Sequence, residues 1–250
     1  MLYHNDILFI HIPKTGGTSL VGSVINHLGI NSNLPKKDSD LLLSGLNVGK
    51  HGCLWAVRET APQIGLDFEA ISRVIVLFRN PYDRLISHYY FSRKTAADYE
   101  EERKRAGIDW RETGKDWKKL DAEWAEKNIR VPLFSWWWVE ETATRTFIGW
   151  LKWLLDNPVH CDVHRYENYI LLDGKMPENL EIFFFEDIPR SYHKMLGAFG
   201  ITGEAGHEFP HAMPTPHPPW MSQYDAESEE LAYQISRWTF DNGYYERMVF

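Results

Sequence analysis

Ile7-Leu8-Phe9-Ile10-His11-Ile12, followed at once by Pro13-Lys14-Thr15-Gly16-Gly17-Thr18-Ser19, decides how this chain folds. The first six residues are almost continuously apolar and rich in β-formers, which predicts a strand covered on both faces in a parallel sheet. Beyond the glycines, Leu20, Val21, Val24, Ile25 and Leu28 recur at helical spacing, and Gly29 supplies a helix end. Strand, glycine loop and helix together outline a phosphate-binding unit.

Two further runs extend the pattern. Val74 to Phe78 reads as a second buried strand that leads into Arg79-Asn80-Pro81. Asn80 suits an N-cap and Pro81 the first helical position, so a helix is predicted from there through about Phe91. Leu180 to Phe185 is a third apolar run; it ends at Glu186-Asp187, and Pro189 opens a helical stretch to Phe199. Strands interleaved with helices predict an α/β protein: a three-layer P-loop-type fold with a mostly parallel central sheet. With no internal repeat and no Gly/Ser linker, residues 1–250 read as one domain with a helical insertion at about 95–160. In that insertion Trp110, Trp117 and Trp124 recur every seven residues, as on one face of a helix, and Trp136, Trp137 and Trp138 stand together. A last helix is expected over roughly Ala226 to Phe240.

Composition narrows the class. The 250 residues are 44% hydrophobic and 25% charged, which excludes a disordered, collagenous or coiled-coil chain. Lys and Arg number 27 against 35 Asp and Glu, a net charge of −8 that argues against nucleic acid or an anionic membrane as a partner. Two cysteines, Cys53 and Cys161, are too few for a disulfide framework, so a reducing compartment is expected. The first residues lack a basic n-region and an h-region, and the apolar runs are too short to span a bilayer. The expectation is a soluble, cytoplasmic protein.

The glycine loop carries the chemistry. Glycines let backbone N–H groups approach an anion, and the following helix start adds partial positive charge. Thr15, Thr18 and Ser19 add hydroxyls, and Lys14 adds a mobile full charge. In the ordinary nucleotide-triphosphatase loop a Lys and then Ser or Thr follow the last glycine; here the Lys precedes the glycines, and a second metal ligand is not evident.

His11 to Leu20 resembles the 5′-phosphosulfate loop of sulfotransferases that use 3′-phosphoadenosine 5′-phosphosulfate (PAPS). Phe78 to Tyr90, with Arg79-Asn80-Pro81 and Ser87, resembles that family's 3′-phosphate motif. The likeness is to the carbohydrate branch, which includes the heparan sulfate 2-O-sulfotransferases. Lys50-His51 and Phe184 to Ile188 are weaker echoes. The resemblance implies PAPS as sulfuryl donor, adenosine 3′,5′-bisphosphate (PAP) as product, and no required metal. It assigns Lys14 to the bridging oxygen, Thr15, Gly16, Gly17, Thr18 and Ser19 to the 5′-phosphate, and Arg79 and Ser87 to the 3′-phosphate. Two anion sites at neighbouring strand ends are what such a nucleotide requires.

An alcohol acceptor also needs a general base. His51 is the candidate by resemblance, with a polar strand-edge or cap histidine as the plain alternative; Glu59 is the reserve, although its place beside Arg58 suits a solvated helix face. His11 reads as packed, and Glu186 as a support at its strand end. For Ser87 a small packing residue is the alternative.

His160-Cys161-Asp162-Val163-His164 is dense in ligand types, and His207, His211 and His217 follow, but a lone cysteine there does not make a structural zinc pattern. No metal is expected. Phe209 to His217 resembles by position the family's late loop over the nucleotide, without its basic residues. A carbohydrate or other hydroxyl-bearing acceptor is the expected partner, and the net charge suits a neutral or lightly charged glycan. A P-loop kinase, marked by Mg²⁺ dependence and ATP binding, and a non-catalytic nucleotide-binding module are the alternatives.

Overall fold

The computed structural model describes residues 1–29, 51–106, 141–202, 209–210 and 215–250. Four described strands make one sheet in the order β1 (Leu2–His4), β2 (Ile7–Ile10), β3 (Arg73–Phe78), β4 (Leu180–Phe184). β2, β3 and β4 run parallel, with Phe9 opposite Ile75 and Val76 opposite Ile182. β1 is an added antiparallel edge, Leu2 pairing with Phe9. Asn5 and Asp6 make its turn with positive φ angles of 49° and 60°, conformations that Asn and Asp tolerate better than other non-glycine residues. Leu2-Tyr3-His4 is too short a run to mark β1 in the sequence.

The sheet is covered on both sides, as its near-continuous apolar strands demand. Alternate side chains divide by the two-residue period of a strand. Leu8, Ile10, Val74, Val76 and Phe78 face α2 (Leu54–Thr60) and the short helical segment Glu167–Ile170. Ile7, Phe9, Ile75, Leu77 and Phe183 face α1 (Gly17–His27) and the helix Ile188–Ala198. Phe9 and Phe78 have no exposed surface, and truncating either to Ala costs about 3–5 kcal/mol.

β2 is shorter than the apolar run: pairing ends at Ile10, and His11 and Ile12 already belong to the loop. The helix after β3, α3, runs from Pro81 to Ala106, well past Phe91. Its start is as expected, with Asn80 Oδ1 accepting the Tyr82 N–H at 3.0 Å and Arg84 N–H returning to the Asn80 carbonyl. The residues beyond Phe91 are polar, so an apolar pattern could not carry the reading further; the expected insertion boundary near residue 95 falls inside this helix. α3 packs its Tyr82, Leu85, Ile86 and Tyr89 against Trp150, Leu151 and Leu154 of the helix Phe147–Asp156 and against the C-terminal helices. The C-terminal helix is two, Ala226–Ile235 and Arg237–Asp241, divided at Ser236. Trp110, Trp117, Trp124, Trp136, Trp137, Trp138, Lys50, His207 and His211 lie outside the described residues. No helix among the described residues is long and apolar enough to cross a membrane.

Candidate functional site

The loop between β2 and α1 lies at the carboxyl end of β2, beside the carboxyl end of β3. Its conformation is fixed through its carbonyls. Four in succession each meet a side-chain partner: His11 O meets His51 Nδ1 at 2.9 Å, Ile12 O accepts from Thr15 Oγ1 at 2.9 Å, Pro13 O from Arg84 Nε at 2.9 Å, and Lys14 O from Arg79 Nη1 at 3.1 Å. These contacts hold Lys14 at φ 65°, the left-handed region that costs a side-chain-bearing residue about 1–2 kcal/mol. In a trans peptide the N–H points away from the preceding carbonyl. With the carbonyls of Pro13 and Lys14 taken by arginines, the N–H groups of Lys14 and Thr15 turn the other way.

The glycines serve the protein's own packing. A Cβ on Gly17 would sit 2.2 Å from Cδ2 of His11, and one on Gly16 (φ 89°) 2.9 Å from the Phe185 ring. Thr15 is wholly buried and spends its hydroxyl on Ile12, so it acts inside the loop. Ser19 is buried and its N–H returns to Gly16 O; Thr18 is half-buried in the first turn of α1. Gly17 N–H, at the first position of that helix, has no intrahelical acceptor. Lys14 reaches out, its Nζ 3.3 Å from Thr215 Oγ1 and 4.0 Å from the centre of the Phe91 ring.

Arg79 joins the two motifs. Nε pairs with Asp83 Oδ2 at 2.8 Å, Nη1 holds Lys14 O, and the guanidinium lies 4.7 Å over the Phe185 ring. Its backbone is gripped as well: Tyr166 Oη accepts the Arg79 N–H and donates to the Arg79 carbonyl. Glu186 supports the same strand end, accepting from Asn80 N–H at 2.7 Å and from Tyr245 Oη at 2.9 Å. One turn on, Arg84 is 2% exposed and donates to three carbonyls, those of Pro13, His164 and Val163. Arg84 and Phe91 both meet the loop, and Ser87 and His88 lie on the face of α3 between them. Ser87 is buried there.

His51 stands three residues before α2, its ring 4.5 Å from that of His11. A carbonyl can only accept, so Nδ1 carries the proton and Nε2 holds the lone pair of the neutral ring. Glu59 is on the exposed side of α2, next to Arg58. A second pair, His88 and His164, lies behind the loop with rings 4.8 Å apart. Burial pushes both imidazoles well below the usual 6.5, and the neighbouring Lys14 and Arg84 charges push His88 the same way. The candidate metal run is dispersed: His160 stacks on Trp153, Cys161 is in the core, and His164 turns inward against Trp150. Among the described residues no group of three or more such side chains could hold a metal ion.

The described residues of the late segment lie on the site. Besides Thr215 on Lys14, Phe209 packs against Phe185 and Gly16, and His217 Nε2 is 3.9 Å from Asp83 Oδ1. Arg84, Asp83, His88, Tyr166 and Thr215 had no role in the sequence reading. Arg84 carried one usable signal, a cation one turn inside a helix whose neighbours Leu85 and Ile86 are apolar.

The donor set fits an anionic nucleotide: two cations, Lys14 and Arg79, a helix start, and a loop whose carbonyls are already engaged. No protein-family model, no curated protein and no solved structure matches the chain.

Proposed function

We propose that the protein is a PAPS-dependent O-sulfotransferase of P-loop-type architecture, moving a sulfuryl group to a hydroxyl of a carbohydrate acceptor. The observation that supports this reading is the contact of Arg79 Nη1 with Lys14 O at 3.1 Å. It brings the cations of the two motifs together at the carboxyl ends of β2 and β3, as a nucleotide with 5′ and 3′ phosphates needs. A cytoplasmic setting goes with the proposal, on the strength of two free thiols, Cys53 and Cys161.

The donor supplies a sulfuryl group on a phosphate leaving group. Around it, the N–H groups of the loop and of Gly17, with Thr18, bind the 5′-phosphate side. Arg79, oriented by Asp83, takes the 3′-phosphate, and Ser87 lies on the helix face nearby. Thr15 and Ser19 keep the loop in shape. Lys14 swings from Thr215 to neutralise the charge that develops on the leaving oxygen. His51 Nε2 accepts the proton of the acceptor hydroxyl while that oxygen bonds to sulfur and the sulfur–phosphate oxygen bond breaks. Its Nδ1–H bond to His11 O keeps the imidazole in the required tautomer.

The test is transfer itself. Purified protein with PAPS and a mixture of neutral oligosaccharides should release PAP and yield sulfated sugar without added divalent metal. Mg²⁺-dependent consumption of ATP, with PAPS untouched, would favour the kinase alternative.

A further inference from the structure

His51 also lines a pocket of about 550 Å³, within the range of small-molecule sites. Its other walls include Trp55, Asp162, Glu167, Asn168 and Tyr169. Trp55 is 53% exposed, an unusual state for an indole on a helix whose Leu54 and Val57 are buried. The far wall is rigid. Arg84 donates to the carbonyls of Val163 and His164, Tyr169 Oη donates to Val163 O at 3.2 Å, and Asn168 Nδ2 to Asp162 O at 3.2 Å. The charge of the described lining is acidic. Asp162 is balanced by Arg165 at 3.0 Å. Glu167 is not balanced in this way: its Oε2 is buried without a hydrogen-bond partner among the described residues, and burial raises its carboxyl above the ordinary range.

We propose that this pocket binds an uncharged, hydroxyl-rich sugar ring, its apolar face on Trp55 and a hydroxyl donated to Glu167, and that it rejects uronic and sulfated sugars. The inference rests on the sulfotransferase reading for the reaction and on the pocket alone for the binding. The Glu167 carboxyl lines the pocket, and a ring hydroxyl can donate to it from there. A carboxylate or sulfate there meets a like charge in a half-buried site, which costs enough to decide selectivity. The ring also brings a hydroxyl towards His51, the one titratable group of the lining that belongs to the site above.

The test uses the full chain without donor. Saturation-transfer NMR compares methyl glucopyranoside with methyl glucopyranosiduronate at pH 7.5; the two rings differ only in CH₂OH against COO⁻. The expected result is binding of the neutral ring, binding of the uronide weaker by about tenfold or more, and loss of the neutral signal in Trp55→Ala. Glu167→Gln, nearly isosteric, should narrow the gap between the two rings. Equal or tighter binding of the uronide, no binding of either ring, or a neutral signal indifferent to Trp55→Ala overturns the proposal. Titration with PAP on the same samples separates the two failures. Lost PAP binding with sugar binding intact removes the sulfotransferase reading and leaves the pocket, and the reverse leaves the nucleotide site without this acceptor.

Discussion

Arg84 Nε donates to the Pro13 carbonyl at 2.9 Å, from a guanidinium that also reaches the carbonyls of Val163 and His164 and lies 4.4 Å over the Tyr166 ring. One buried cation therefore ties the Lys14 loop to the wall of the pocket beside His51. Among the described residues no carboxylate pairs with it; three carbonyl dipoles and an aromatic face stand in for a counter-ion. Replacing Arg84 by Met keeps most of the apolar stem and orphans the carbonyls of Pro13 and His164, while Val163 O keeps the Tyr169 hydroxyl. Urea unfolding of Arg84→Met should show a loss of about 3 kcal/mol or more, and a loss below about 1 kcal/mol would contradict this account of the loop.

Lys14 separates strain from chemistry. Its left-handed backbone suits glycine better than lysine. Lys14→Gly should leave stability within about 1 kcal/mol of the parent, while turnover falls by about 100-fold or more. Unfolding curves and a PAP-release assay on one preparation check both halves. Unchanged turnover would remove Lys14 from the mechanism.

His51→Asn retains an N–H that can reach the His11 carbonyl but has no counterpart of Nε2. Turnover should drop by about 100-fold or more while PAP binding holds. Activity close to the parent's would move the base elsewhere, and Glu59→Gln would be the next variant to assay.

His88 and His164 give stability a pH dependence of defined sign. Unfolded, each imidazole takes up its proton near the usual 6.5; folded, burial delays uptake to lower pH. The unfolded chain thus binds more protons as pH falls. The stability these residues permit is present in full above about pH 6.5 and drains away below it, towards their lowered native values. Neither ring nitrogen of His164 has a hydrogen-bond partner among the described residues, so His164→Leu strands no bond. Its unfolding free energy should vary less between pH 7.5 and pH 5.5 than the parent's. An identical slope would contradict the assignment.

The fold was legible where burial imposes a simple pattern. Ile7–Ile10 and residues 74–78 are apolar on both faces because helices cover both faces, Leu180–Phe184 is mostly apolar although Glu181 interrupts it, and Asn80-Pro81 marked the start of α3. The extent of α3 was legible only in part: the charge-dense stretch from Asp98 reads as a solvated helix, but the apolar pattern stops near Phe91 and nothing in Lys94 shows that the two stretches are one helix. At the site, the loop stood out by residue type and spacing, and Arg79 by the resemblance of its motif. Arg84, Tyr166 and Thr215 did not. Their roles depend on carbonyls and side chains from 71, 87 and 201 positions away, and the sequence carries no mark of a backbone oxygen in need of a donor. The function of the glycines was half legible: a tight loop was evident, but not that the rings of His11 and Phe185 occupy the space a side chain would need.

The central claim is that Lys14 and Arg79 serve two phosphates of one nucleotide. Calorimetric titration of PAP and of adenosine 5′-monophosphate into the parent and Arg79→Ala tests it most directly. Both ligands share the loop, so any general loosening of the loop in the variant cancels in the comparison. The parent should prefer PAP by about tenfold or more without metal, a gap worth about 1.4 kcal/mol or more, and Arg79→Ala should erase the preference. Equal binding of the two nucleotides by the parent, or a preference that survives Arg79→Ala, would contradict the claim.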